Sequence, residues 1–148
     1  MPSGRAPSGD ASAGVLLSEI GEAIAGLPAA SIDHIGMHSD GLPALVQLAR
    51  EGVRVKATGF GRLLGDFEAE AQVRAGIQAI VRANPAALLF GTDLPGTRAR
   101  RPFAVEGLGL IAAALEDVAS DIDDPDTRAD DLLSRVLYAN AAELYRMA

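Results

Sequence analysis

The stretch Leu88–Pro95, which reads Leu-Leu-Phe-Gly-Thr-Asp-Leu-Pro, constrains the fold of this chain more than any other feature. A short apolar run ends abruptly at Gly91, and Pro95 prevents a strand from continuing. Because the run is apolar on both faces, it suits a parallel sheet that is covered by helices. Asp93 follows the carboxyl end of this strand, where parallel α/β folds place their functional side chains.

Composition predicts one acidic domain without thiol chemistry. The 148 residues match about one domain. The formal net charge of −7 disfavours nucleic acid and an anionic membrane surface as partners, and no apolar stretch approaches the roughly 18 residues that span a bilayer. The absence of cysteine excludes disulfides and thiolate metal sites. The first residues lack the apolar segment of a signal peptide, so we expect a cytoplasmic protein.

Hydrophobic spacing predicts helices that alternate with strands after a mobile tail. The tail covers residues 1–14, which are rich in Ser, Gly, Pro and Ala, and one domain covers residues 15–148. The predicted strands are Ala30–Ile35, Val53–Thr58 and Leu88–Gly91. The predicted helices are Val15–Leu27, Leu42–Glu51 with Gly52 as its cap, Phe67–Asn84, a helix that follows Phe103 and reaches about Ser120, and Thr127–Leu137 followed by Asn140–Arg146, either separate or continuous.

This order predicts βαβ units and a parallel sheet. Only three strands are visible in the sequence, whereas a closed (β/α)8 barrel has eight and about 250 residues. Three parallel strands alone would leave two open edges, which soluble proteins normally cover or pair. The sequence therefore predicts an α/β fold with an incomplete sheet.

Four short motifs lie in order between about Val15 and Tyr145. They are Ser31-Ile-Asp-His-Ile-Gly36, Val53-Arg-Val-Lys-Ala-Thr-Gly59 with Arg62, Asn84-Pro85 with Leu88-Leu-Phe-Gly-Thr-Asp-Leu-Pro95, and Asn140-Ala-Ala-Glu-Leu-Tyr145. In order and spacing, these motifs resemble the carboxyl-terminal half of the amidohydrolase-2 family, which includes pyrone-dicarboxylate lactonase and aminocarboxymuconate-semialdehyde decarboxylase. The resemblance implies a partial (β/α)8 TIM barrel, in which the three strands are the sixth, seventh and eighth.

The resemblance also implies roles for side chains at the strand ends. Asp93 matches an aspartate that takes a proton from the attacking water and binds a divalent metal where one is present. His34 matches a histidine that binds metal or donates a hydrogen bond to substrate. His34 and Asp93 are therefore the candidate ligands for zinc or manganese. Taken as isolated residues, an aspartate that caps the next segment and a histidine bonded to backbone are the alternatives.

Cations near the strand ends predict a small anionic substrate. Arg62 resembles an arginine that grips a substrate carboxylate through its planar guanidinium group. Lys56 lies on the second predicted strand, and Arg98 lies with two further arginines in the loop after Asp93. The predicted substrate-binding residues are therefore His34, Lys56, Arg62 and Arg98. Solvated cations that balance the acidic helices are the alternative.

The chain departs from the family pattern at several positions. Leu94 and Gly96 stand where a tryptophan and a histidine often occur, and no His-x-His pair precedes Val15. Two ligands, His34 and Asp93, are fewer than the three protein ligands that catalytic metals usually have.

Three functions fit these observations. The first is part of a hydrolase, or related decarboxylase, in which water attacks a small carboxylated substrate with Asp93 as base while His34 and Arg62 orient that substrate. The second is a non-catalytic relic, or a half-barrel subunit that pairs with a complementary half-barrel or with its own copies. The third is a small α/β binding module. The resemblance favours the first.

Overall fold

The computed structural model describes residues 13–33, 35, 39–58, 70–95, 102–122, 124 and 127–147. The strands are β1 (Ser31–Ile32), β2 (Arg54–Ala57) and β3 (Leu88–Phe90). The helices are α1 (Ala13–Ala25), α2 (Leu42–Arg50), α3 (Glu70–Ala83), α4 (Gly107–Asp121), α5 (Ala129–Ser134) and α6 (Asn140–Tyr145). This order confirms the predicted alternation. None of the described helices has both the length and the apolar character that crossing a membrane requires.

The three strands form one parallel sheet in the order β1-β2-β3. In its register Ser31 pairs with Arg54, and Val55 pairs with Leu88. Consecutive parallel strands that stay adjacent are typical of a singly wound barrel, whereas a doubly wound sheet reverses its strand order. The sheet confirms the predicted parallel α/β fold and is consistent with a section of a TIM barrel.

One face of the sheet packs against α2, α3 and α4 and forms the main core. Burial alternates along β2, because successive side chains of a strand point to opposite faces. Val55 and Ala57 are buried against the helices, whereas Arg54 and Lys56 are partly exposed on the opposite face, here called the polar face. The stripe predicted for α3 is buried in the same core and consists of Val73, Ile77, Ile80 and Val81.

The strands are shorter than the sequence predicts, for local backbone reasons. Ile35 has a φ of 49°, a left-handed conformation that an extended strand cannot contain. The amide of Val53 donates to the carbonyl of Leu48 at 3.0 Å, so Val53 closes the end of α2 instead of starting β2. The positive φ of Gly52, 96°, confirms its predicted position just beyond α2.

The last helices form one run from Ala129 to Tyr145. A π-helical segment, Arg135–Ala139, joins α5 to α6, so the continuous alternative is the correct one. At the other end of the chain α1 begins at Ala13, two residues inside the predicted tail. The remaining tail residues, 1–12, lie outside the described residues.

Candidate functional site

The three strands end along one edge of the sheet, here called the carboxyl edge. Asp33 follows β1, Thr58 follows β2, and Asp93 lies three residues beyond β3. Parallel strands bring these ends together, as the strand pattern predicts. Of the predicted site residues, Asp93 and Lys56 are described. His34, Arg62 and Arg98 lie outside the described residues, so their roles stay predictions.

Gly91 and Thr58 lie side by side where β3 and β2 end. The amide of Gly91 donates to the carbonyl of Ala57 at 3.4 Å. A Cβ atom at position 91 would lie 2.5 Å from Cγ2 of Thr58, which is itself buried. Non-bonded carbon atoms do not approach so closely, so this contact requires glycine. From the sequence, Gly91 could be predicted only as the end of a strand. Its contact with Thr58 could not be predicted, because the two residues are far apart in the sequence.

Asp93 lies exposed in the turn that follows β3. Its φ is 55°, a left-handed conformation that aspartate adopts more readily than most residues. The amide of Leu94 donates to Oγ1 of Thr92 at 3.4 Å, and the Leu94–Pro95 peptide bond is cis. Asp93 is exposed in this turn and is therefore accessible at the carboxyl edge.

A second left-handed residue lies beyond β1. Ile35 is buried, and a β-branched side chain at positive φ is strained. Such strain persists only where packing holds it, and it occurs preferentially at functional sites. Ile35 adjoins His34 in sequence, but His34 lies outside the described residues, so its place in the site stays a prediction.

Lys56 carries a fixed positive charge on the polar face. Its Nζ lies 3.0 Å from Oδ1 of Asp33. The hydrogen bond with Asp33 raises the pKa of Lys56 above its ordinary value of 10.5; partial burial acts in the opposite direction, and the Asp33 charge and Tyr145 raise it further. Lys56 is therefore protonated at neutral pH, as an anion-binding role requires.

Helix α6 holds the carboxyl-terminal segment against the sheet. The buried Asn140 donates through Nδ2 to the carbonyls of Pro85 and Leu88, both at 2.9 Å. Oε1 of Glu143 lies 3.4 Å from Nη2 of Arg54. Tyr145 lies close enough to Lys56 to raise the pKa of its ammonium group slightly.

These contacts add residues to which the sequence prediction gave no role. Asn140, Glu143 and Tyr145 all belong to the fourth sequence motif, which was the available signal for them. Asp33 belongs to the first motif and precedes the predicted histidine. The parallel register that brings Asp33 to Lys56 was not visible in the sequence.

A comparison with family models identifies the chain. The model described as amidohydrolase matches residues 16–147, which is most of the sequence. The chain belongs to the amidohydrolase family. No curated protein and no solved structure matched it. The family assignment confirms the resemblance at family level, while the lactonase and decarboxylase subtypes stay predictions.

Amidohydrolases commonly bind divalent metals, but the described residues do not fit such an ion. No three His, Asp or Glu side chains cluster within the described ranges. The Asp33 carboxylate is already paired with Lys56, whose positive charge opposes a divalent cation at the same oxygen atoms. The prediction of His34 and Asp93 as ligands stays untested, since His34 lies outside the described ranges. We therefore assign no catalytic step to a metal.

Two clefts among the described residues of this amidohydrolase lie away from the candidate site. One, of about 390 Å³, lies between α3 and α4 and is lined by residues such as Glu70 and Leu110. The other, of about 760 Å³, lies before β3 and is lined by residues such as Pro85 and Arg135. The described lining of these clefts includes neither Lys56 nor Asp93. The carboxyl edge is therefore chosen as the candidate site for its side chains and its strand-end position, and not on the basis of these two clefts.

Proposed function

We propose that this amidohydrolase-family chain is the carboxyl-terminal half of a barrel that hydrolyses a C–O or C–N bond, or carries out a related decarboxylation, in a small carboxylated substrate. One observation carries the proposal: Asp93 is exposed at the carboxyl end of a strand in a parallel sheet, within the region that matches the family. Carboxyl ends of barrel strands are where such enzymes place their chemistry.

In this proposal, Asp93 acts as the general base. A water molecule attacks the substrate carbonyl carbon while the Asp93 carboxylate takes one of its protons. The bond to the leaving oxygen or nitrogen then breaks, and the same proton passes to the leaving group. A positioned acid–base group of this kind contributes about 10²- to 10⁴-fold to the rate.

Lys56 provides the positive charge for the substrate carboxylate. It is described, protonated at neutral pH and located on the sheet that leads to the carboxyl edge. Arg62 and Arg98 are proposed to add charge around the substrate, and His34 to donate a hydrogen bond to it. Together these cations predict a preference for anionic substrates in a chain whose net charge is negative.

A second candidate function, a half-barrel subunit, is favoured by the open sheet. Within the described residues β1 pairs with β2 alone, and β3 also pairs with β2 alone. Exposed strand edges invite pairing with further strands. A complementary half-barrel, or another copy of this chain, would cover these edges and complete the ring of strands around the polar face.

Turnover and molecular mass, measured together, test both candidates. The purified chain is incubated with a panel of small carboxylated lactones, esters and amides, and its mass is measured by sedimentation equilibrium. Turnover by the monomer supports the hydrolase. Turnover that occurs only in an oligomer, or only after a half-barrel is added, supports the half-barrel subunit. A monomer that unfolds cooperatively and turns over nothing in the panel contradicts both and leaves the binding module.

A further inference from the structure

We infer that Lys56, Asp33 and Tyr145 form a carboxylate-exchange site, in which Asp33 is a resident carboxylate that the substrate carboxylate displaces from Lys56. Tyr145 then donates its hydroxyl hydrogen to the incoming group. This inference rests on the proposed function, in which Lys56 binds the substrate carboxylate. It adds the residue that occupies the site before substrate arrives and the residue that completes it.

The exposure of the two partners indicates which one is displaced. The Lys56 side chain is 33% exposed, whereas that of Asp33 is 61% exposed. The cation is therefore held on the strand, while the carboxylate can turn into solvent at little cost. Exposed ion pairs of this kind change an equilibrium constant by only about 1.4- to 5-fold, so a ligand carboxylate can compete with Asp33.

The hydrogen-bonding capacity of Lys56 and Tyr145 leaves room for a ligand. An ammonium group has three donors, and Asp33 accounts for one of them. Tyr145 is near enough to raise the pKa of Lys56, so its phenol oxygen is a candidate for a second. When the phenol oxygen accepts from Lys56, its own O–H remains a donor. The two oxygens of a carboxylate can then accept from Lys56 and from Tyr145 at once. This pairing of a cation with a neutral donor suits a carboxylate.

The neighbouring cation on the polar face is less available to a ligand. Arg54 donates to the carbonyl of Ala86 and pairs with Glu143, and its side chain is far more buried than that of Lys56. Its contacts hold α6 and the loop before β3 in place. Asn140 anchors the same helix through two hydrogen bonds, which fixes the position from which Tyr145 reaches Lys56.

Titration with benzoate tests the inference, with benzamide as the uncharged ligand of the same shape. Lys56 is the only lysine in the sequence, so its side-chain methylene signals can be followed in an NMR spectrum without ambiguity. The variants are Lys56→Met, Asp33→Asn and Tyr145→Phe. Asp121→Asn is the matched control, because Asp121 is a similarly exposed carboxylate in an ion pair with Arg82 on the helical layer.

The expected changes have opposite signs. Asp33→Asn tightens benzoate binding about two- to fivefold by removing the competitor, whereas Asp121→Asn leaves it within about 1.5-fold. Tyr145→Phe weakens binding about two- to tenfold, and Lys56→Met weakens it about tenfold or more. Benzamide binding does not respond to these variants. For Tyr145→Phe and Lys56→Met, binding is measured from backbone amide signals and folding is checked by circular dichroism.

Several results overturn the inference. Equal effects of Asp33→Asn and Asp121→Asn reject the resident carboxylate, an unchanged affinity in Tyr145→Phe rejects the tyrosine, and failure to bind benzoate rejects the site. These outcomes are separate from the proposed hydrolysis. If benzoate exchanges with Asp33 but no substrate is turned over, the exchange site is supported and the hydrolase is rejected. If substrates are turned over without any preference for a carboxylate, the hydrolase is supported and the exchange site is rejected.

Discussion

The side chain of Thr58 occupies the space that any side chain at Gly91 would need, with its Cγ2 2.5 Å from the position of a Cβ atom there. This contact joins the ends of β2 and β3 at the carboxyl edge. Asp93 lies two residues beyond Gly91, so the contact is next to the turn that carries Asp93. The glycine of the Gly-Thr-Asp sequence is therefore a packing requirement set by a neighbouring strand.

Gly91→Ala is expected to destabilise the fold by about 1–3 kcal/mol, because the new methyl group overlaps Thr58. Thr58→Ser removes the overlapping Cγ2 atom and keeps the hydroxyl group. We therefore expect Gly91→Ala to cost much less stability when residue 58 is serine. The double variant should then be nearly as stable as Thr58→Ser alone. Urea denaturation of the four proteins measures this coupling. An equal cost of Gly91→Ala in both backgrounds would show that Thr58 is not the obstacle.

Asn140→Ala is expected to cost about 1–3 kcal/mol, mainly because the carbonyl of Leu88 loses its side-chain donor in a buried place. Asn140→Asp keeps the shape but replaces the donor with a second acceptor, so it should cost at least as much. The free energy of unfolding in urea measures both variants. A loss below about 0.5 kcal/mol in either variant contradicts an anchoring role for Asn140.

The ion pair between Lys56 and Asp33 predicts a loss of stability in alkaline solution. Since the folded pKa of Lys56 lies above its ordinary value of 10.5, the stabilisation is complete below that value and disappears as the pH rises through the folded pKa. The stability of the wild type should therefore approach that of Lys56→Met above pH 10.5. Unfolding curves between neutral and alkaline pH measure this difference. A difference that stays constant over the range contradicts the raised pKa.

Asp117 links α4 to α3 more firmly than Asp121 does in the neighbouring ion pair with Arg82. It accepts from Nε of Arg74 at 2.8 Å and from Gln78 at 2.6 Å, whereas within the described part of the chain Asp121 pairs with Arg82 in an exposed place. Asp117→Ala should cost about 1 kcal/mol, and Asp121→Ala no more than about 0.5 kcal/mol. Thermal denaturation at low salt compares them. The reverse order of stabilities would contradict the network.

The order of the elements was predictable because each depends on local sequence. The apolar spacing in α3 follows the helical period, and Gly52 marks a helix end by its own conformational freedom. The position of Asp93 beyond a buried strand was predictable for the same reason. Its left-handed conformation was not, because an aspartate in a turn can adopt several backbone conformations and its residue type does not select one.

The contacts between distant segments could not be predicted. Lys56 meets Asp33 only because β1 and β2 are parallel in one particular register. Tyr145 reaches Lys56 only because α6 packs against the sheet beyond a π-helical segment. Neither the register nor the extra residue of a π-helical turn leaves a periodic signal in the sequence.

The central claim is that Asp93 is the base of a hydrolytic site, and one comparison tests it most directly. The rate of hydrolysis of the best carboxylated substrate is measured for the wild type, Asp93→Asn and the control Asp121→Asn, with unfolding curves for all three. We predict that kcat falls at least about 100-fold in Asp93→Asn, while kcat of Asp121→Asn stays close to that of the wild type. The stability of Asp93→Asn should also stay close to that of the wild type. Retention of wild-type kcat by a folded Asp93→Asn variant would contradict the account.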